Sequence, residues 1–293
     1  MRRPDVNDPD IGANDIMLTN AKIKEIRRLN EKTKARREAG LFVIEGPKMF
    51  MEAPLEWVKE VYVTREFLDR VDRESAADAD TSGSSLRISE MIGWLETEVI
   101  TSEQMAKISD TQTPQGILCV METPSYELDD ILSHKGRANG DERKLIMVLE
   151  DIQDPGNLGT IFRTAEGAGA SGIILSEGCV DIYNPKTVRA TMGSLYRMPF
   201  IYSHELSETI GKLKAAGLTV YAAHLKGERS YDEIDYSDSA FLIGNEGNGL
   251  KDETAALADT YIRIPMEGSL ESLNASVAAS VLMYEHYTAR RGR

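Results

Sequence analysis

Five short apolar runs constrain this chain most: Ile146 to Leu149, Gly172 to Leu175, Leu218 to Ala222, Ala240 to Ile243 and Tyr261 to Ile264, with helical segments between most of them. The runs are continuous rather than alternating, so each predicts a strand buried on both faces. That is the condition of a parallel sheet covered by helices on either side. In such a sheet ligands sit in the loops beyond the strands' C-terminal ends. The segments after Leu149, Ile243 and Ile264 are therefore the places to look for chemistry.

A smaller α/β alternation precedes it. LFVIE from Leu41, VKEVYVT from Val58, TEVIT from Thr97 and GILCVM from Gly116 predict strands, and Pro47 suits the first turn of a helix. A length of 293 residues fits two domains that each bury a core. The polar stretches Ser75 to Ser85 and Ser133 to Glu142 read as an inserted loop and an interdomain linker. The expected layout is a disordered leader over 1–15, an N-terminal domain over 16–125, a linker over 126–143 and a C-terminal domain over 144–293.

Several functional classes are excluded early. No apolar run approaches the roughly 20 residues that span a bilayer, and the first fifteen residues lack the apolar core of a signal peptide. Cys119 and Cys179 are too few and too far apart for a disulfide framework. His134, His204, His224 and His286 are scattered without ligand spacing, so no metal site is expected. His224 reads as a surface histidine, with a place beside a cofactor as the alternative. A cytoplasmic location fits these features.

The net charge of −14 opposes binding to a phosphate backbone when taken as a sum. Its distribution points the other way. Between Ala21 and Gly40 stand eight cations, Lys22, Lys24, Arg27, Arg28, Lys32, Lys34, Arg36 and Arg37, against three acids. Ile23, Ile26 and Leu29 make this an amphipathic helix able to present cations along one side, although a plain solvated face has the same pattern.

Gly167-Ala-Gly-Ala-Ser-Gly172 matches the dinucleotide fingerprint letter for letter. Its position is wrong for that role. A pyrophosphate loop follows a strand and opens a helix, whereas these glycines close a helix and lead into a strand. They read as a left-handed cap and tight turn.

Three other blocks carry the chemistry. After the strand ending at Leu149 comes EDIQDPGNLGTIFRTAEGAGA, where Asp154 suits an N-cap, Pro155 a first turn, and Asn157 and Arg163 follow on the helix. The strand ending at Ile243 runs into Gly244-Asn-Glu-Gly-Asn-Gly-Leu250, whose glycines let backbone approach a ligand with Glu246 at the turn. The strand ending at Ile264 leads through Met266 into a segment holding Ser272, Leu273 and Asn274, the last a natural helix cap. In the helix that follows, Leu273, Val277, Val281 and Tyr284 form a stripe suited to a buried or dimer-facing surface.

In order and spacing these blocks resemble the three signature motifs of the SpoU-class (TrmH-like) RNA 2'-O-ribose methyltransferases of the SPOUT superfamily, from about Leu145 to Tyr284. The intervening IYNPKTVRATMGSLYRMPF is similar to the family's linking segment, with Lys186, Arg189 and Gly193 in place. The basic helix, FVIEG and ISDTQTPQGILCV resemble the family's small RNA-binding domain of ribosomal-protein-like α/β/α fold.

The resemblance implies an α/β fold with a mostly parallel C-terminal sheet threaded as a trefoil knot, a homodimer, and S-adenosylmethionine as cofactor. By the same carry-over Gly244, Ile264, Met266 and Leu273 hold the cofactor, and Arg163, Glu246, Asn274 and Asn157 form the catalytic set. Lys22, Arg27, Arg28, Lys34, Arg36, Arg37 and Arg189 are the residues expected to meet RNA. Ribosomal RNA is favoured over transfer RNA, with a non-catalytic RNA-binding protein as the rival reading. Methyl transfer to a ribose hydroxyl needs an in-line approach and stabilisation of a developing alkoxide. Arg163 suits the second need as a fixed cation that also clamps a phosphate. A guanidinium with a pKa above about 12 is no general base. Glu246 and Asn274 are expected to organise the site.

Overall fold

The computed structural model describes residues 17–77, 84–133 and 143–291. The expected leader, most of the Ser75 to Ser85 insertion and the stretch 134–142 with His134 lie outside them. The chain divides into two compact units, Met1–Pro124 with Tyr183–Arg189, and Ser125–Ile182 with Ala190–Arg293.

The first unit begins with helices α1 (Asn20–Glu31) and α2 (Thr33–Ala39), followed by β1 (Leu41–Glu45), α3 (Pro47–Glu52), β2 (Val58–Thr64) and α4 (Arg65–Ala77). It continues with α5 (Ser84–Trp94), β3 (Thr97–Ile100), α6 (Ser102–Ile108) and β4 (Ile117–Glu122). The sheet order is β1-β4-β2-β3, with β4 antiparallel to both neighbours and β2 parallel to β3. Thr19 caps α1, and Lys32 adopts an extended conformation that ends it. Ile26 and Leu29 turn inward onto Val43, Tyr62, Leu118 and Val120, which leaves the opposite side of α1 to the charged residues.

In the second unit the chain runs through α7 (Leu128–Ser133), β5 (Leu145–Leu149), α8 (Pro155–Ala168), β6 (Gly172–Ser176), α9 (Pro185–Thr191), β7 (Phe200–Ser203) and α10 (Leu206–Ala215). Then come β8 (Thr219–Ala223), β9 (Arg229–Ser230), β10 (Ser239–Ile243), α11 (Asp252–Ala255), β11 (Thr260–Arg263) and α12 (Ala275–Arg290). Seven strands form one sheet in the order β7-β6-β5-β10-β8-β11-β9, parallel throughout. Strands β5, β6 and β10 are buried along their whole length, as continuous apolar runs require.

Three features differ from the sequence expectation. Strands β7 and β9 were not foreseen, because FIYS lies between short turns and β9 has only two residues. The polar linker expected over 126–143 contains α7, whose Ile131 is fully buried in the large-sheet core and so cannot be free connecting chain. The segment Tyr183–Arg189 groups with the first unit although it lies between strands of the second.

The glycines of the dinucleotide look-alike have packing roles. Gly169 is the left-handed C-cap of α8 at φ 69°, and Gly172 opens β6, where a Cβ would lie 2.7 Å from the Ile131 side chain. At the start of α8 Asp154 accepts the Asn157 N–H at 2.7 Å, and Pro155 occupies the first turn.

Candidate active site

The C-terminal ends of β8, β10 and β11 open on a cavity of about 720 Å³. Gly244, Ile264, Met266 and Leu273 all line it, together with His224 and Asn245. The loop after β10 is folded on itself: Asn245 and Gly249 exchange backbone hydrogen bonds at 3.0 and 2.9 Å. The Asn245 side-chain oxygen accepts the N–H groups of Gly247 and Asn248 at 2.9 and 3.0 Å, and its amide donates to the Asp151 carbonyl at 2.8 Å. A Cβ on Gly244 would collide with the backbone of Gly249 and Leu250, so only glycine lets the loop double back there. Just past the lining residue Lys226, Gly227 sits so close to the Ile262 backbone that a Cβ would meet its carbonyl carbon at 2.5 Å.

Beside the cavity, one residue from each motif enters a single hydrogen-bonded chain. Glu246 accepts the Asp154 N–H at 3.1 Å, the Gln153 N–H at 3.3 Å and the Asn157 amide at 3.0 Å. Asn157 in turn accepts the Asn274 amide at 3.0 Å. The Asn274 oxygen caps α12, taking the Ser276 and Val277 N–H groups at 2.9 and 3.3 Å and the Ser276 hydroxyl at 2.7 Å. Partial burial works to raise the Glu246 carboxyl. The donors from Asn157, from its own backbone and from Asp154 and Gln153 outweigh that and hold it below the ordinary carboxylate value. A carboxylate so engaged is an organiser of three loops and a poor proton acceptor.

Known proteins resemble this chain along most of its length. The SpoU rRNA methylase family matches residues 144–284, and the MRM3-like substrate binding domain matches 20–119. The 23S rRNA (guanosine(2553)-2'-O)-methyltransferase RlmP of Bacillus subtilis is 31% identical over 266 residues, covering 90% of this chain and 95% of RlmP. This chain belongs to the SpoU methylase family. Among solved structures, AviRb of Streptomyces viridochromogenes in complex with AdoMet superposes with a TM-score of 0.76 at 26% identity, covering 94% of this chain and 99% of that one. An AdoMet-bound rRNA methyltransferase of Sinorhizobium meliloti gives a TM-score of 0.73 at 30% identity, with 93% and 96% covered.

In this SpoU methylase Arg163 stands apart from the other three catalytic candidates. It is exposed on α8, about 9 Å along the helix from Asn157, does not line the cavity, and makes no hydrogen bond or ion pair among the described residues. His224, read from sequence as a surface residue, lines the cavity and packs its ring against Tyr261 at 5.1 Å. Asn245, which shapes the Gly244 to Leu250 loop, was passed over. An Asn directly after Gly244 at the end of a strand, able to close a turn through its own side chain, was the available signal.

The cations expected to meet RNA separate into distinct groups. Arg36 is a correction: it is 2% exposed and donates to the carbonyls of Leu29 and Asn30 at 2.6 and 3.0 Å and to the Thr33 hydroxyl at 3.1 Å, tying α1 to α2. Lys22 is bound to Glu60 at 2.8 Å and Glu25 at 3.1 Å, Arg27 to Glu31 at 3.2 Å, and Lys34 to Glu38 at 3.7 Å. Arg189 is paired with Asp110 at 2.9 Å. Arg37 is exposed and already has a partner of its own. Arg28 is exposed and its side chain unpaired among the described residues, as are two further cations of the stretch, Lys24 one turn before it on α1 and Lys32 at the extended C-cap.

Proposed function

We propose that this SpoU methylase transfers the methyl group of S-adenosylmethionine to a ribose 2'-hydroxyl of ribosomal RNA in the cytoplasm. The observation that carries the reading is the Glu246, Asn157 and Asn274 chain, which gathers all three motifs at the rim of one cavity. The cavity suits the cofactor. Its volume falls within the range of small-molecule sites, about 300–1,000 Å³. It combines apolar walls at Ile264 and Leu273 with the backbone of the Gly244 loop and a mixed charged lining, Glu246, Asp252 and Glu271 with Lys226 and Arg263, able to meet both the cationic and the anionic groups of the cofactor. When bound, the cofactor supplies an electrophilic methyl group.

The chain's own residues then have separable duties. The Gly244 loop, Ile264, Met266 and Leu273 hold the donor, while Glu246 fixes the start of α8 against that loop. Arg163 stabilises the developing alkoxide and clamps an adjacent phosphate. Because Arg163 is exposed and does not line its own cavity, we assign it to the cavity of a second subunit. Val277 and Tyr284 of α12, 46% and 48% exposed, supply an apolar face for that homodimer. We assign the loops after β8, β10 and β11 to the trefoil knot. Ribosomal RNA is favoured because similarity to RlmP spans both halves of the chain, including the residues matched by the substrate-binding domain.

The direct test is incubation with labelled S-adenosylmethionine and deproteinised ribosomal or transfer RNA, followed by mapping of the modified nucleotide. A ribose-methylated nucleotide in ribosomal RNA is expected. Label confined to transfer RNA would move the substrate class. Donor binding without transfer to any RNA would support a non-catalytic RNA-binding protein.

The N-terminal unit is assigned to RNA binding through Lys24 and Arg28, about 6 Å apart along α1, and Lys32 at the end of that helix, a group of exposed positive charge suited to a phosphate backbone. Replacing all three with Gln is expected to flatten the slope of log affinity against log salt by roughly 2, from about 0.7 per lost contact on single-stranded RNA. Arg36→Ala is expected to behave differently. It leaves buried carbonyls unpaired, so stability falls on the order of 3 kcal/mol in chemical denaturation with the salt slope unchanged.

A further inference from the structure

At the end of β5 the backbone takes a conformation that few side chains tolerate. Asp151 has φ 54°, in the left-handed region. The residue is held there from four directions. Its N–H donates to the Ser176 hydroxyl at 2.9 Å, and that hydroxyl donates back to Oδ1 at 2.8 Å. The Lys251 ammonium lies 2.8 Å from Oδ2, and the Asp151 carbonyl accepts the Asn245 amide at 2.8 Å. A Cβ on Gly178 would overlap the Asp151 carboxylate, so the next strand-end turn is shaped to receive it.

Lys251 is bound on its other side as well. Its backbone N–H donates to Oε2 of Glu150 at 2.8 Å, and its ammonium stands 3.7 Å from Oε1. Glu150 is 3% exposed and also accepts the Thr254 hydroxyl at 2.5 Å. Lys251 immediately follows the Gly244 to Leu250 loop, and Asp151 stands two residues before Gln153, the first of the two backbone N–H donors that hold Glu246. The two residues therefore close the ends of the cofactor loop and of the turn into α8 against each other. The Lys251 hydrogen bond is the foremost cause holding the Asp151 carboxyl below its ordinary value, so the pair is ionised at neutral pH.

We infer that Asp151 and Lys251 are positioning residues, an ionic clasp that locks the Gly244 to Leu250 loop against the start of α8 and so sets affinity for the methyl donor. Neither lines the cavity, so neither touches the donor directly. Their effect passes through Asn245, which the Asp151 carbonyl orients and which in turn holds the N–H groups of Gly247 and Asn248. The inference rests on the methyl-transfer reading above.

Asp151→Asn provides a clean test. Asn tolerates left-handed backbone as well as Asp does and keeps an oxygen for Ser176, so the substitution removes charge without adding strain. Lys251→Met removes the partner, and Lys251→Arg restores the charge. In full-length enzyme with labelled donor and ribosomal RNA, each single loss is expected to raise KM for the donor about five- to tenfold, the effect of one charge-assisted hydrogen bond. Turnover should stay within about threefold because the Glu246, Asn157 and Asn274 chain still fixes α8. The double variant should be no worse than either single one, and Lys251→Arg should recover wild-type KM. A purely structural pair would lower melting temperature and the active fraction while leaving KM alone, and that result overturns the clasp. So do single effects that multiply in the double variant. Failure of the wild-type enzyme to bind S-adenosylmethionine by calorimetry would instead defeat the underlying reading.

Discussion

Arg163→Ala is expected to lower kcat about a hundred- to a thousandfold, the cost of removing one preorganised donor to a developing oxyanion, while calorimetry shows unchanged binding of S-adenosylmethionine. Stability should also hold within about 0.5 kcal/mol, since an exposed side chain without partners among the described residues leaves nothing unsatisfied when truncated. Arg163→Lys keeps the charge and loses the fork, so it should recover activity only in part. The decisive version mixes two inactive proteins. Ile264→Trp blocks the cavity and preserves Arg163; Arg163→Ala preserves the cavity. If the arginine serves a second subunit's cavity, each mixed dimer holds one complete site, and equal mixing with random re-association recovers about a quarter of wild-type activity. If it serves its own cavity, no mixed dimer has a complete site and the mixture stays inactive.

Much of the second unit was legible in the sequence for one physical reason. Strands buried on both faces must be continuously apolar, and β5, β6 and β10 could hardly be read otherwise. Capping was equally plain: Asp154 and Asn274 sit where short side-chain acceptors satisfy the first N–H groups of α8 and α12. What stayed hidden depends on direction and neighbours across the fold. Eight cations in one helical stretch look alike as letters. The interior of the first unit takes Arg36, and Glu60 from β2 takes Lys22, which a pattern of spacing on α1 cannot show. The turn at Asp151 was equally silent, because nothing local distinguishes an aspartate forced into left-handed backbone from one that caps the next helix. Gly159, within the first motif, illustrates a third limit. In the sequence it is one small residue on a helix, yet a Cβ there would strike Ala190, so its role includes close packing of α8 against a distant segment.

The glycines of the Gly244 to Leu250 loop should rank by geometry rather than by their shared motif. Gly244→Ala places a methyl group against the backbone of both Gly249 and Leu250, where no side-chain rotation relieves it. The loop must then open, separating Asn245 from its Gly249 partner and releasing the cavity wall. Overpacking of this kind costs about 3 kcal/mol, and binding of S-adenosylmethionine is expected to become undetectable by calorimetry. Gly249→Ala meets no atom within 4 Å but stands at φ 70°, so it should cost about 1–2 kcal/mol through backbone strain alone. Gly247→Ala, with its nearest neighbour the Asn245 oxygen at 3.5 Å and no positive φ, should bind nearly as well as wild type. Equal loss in all three would mean that the loop acts through general flexibility, and the doubled-back turn would no longer explain why glycine stands at position 244.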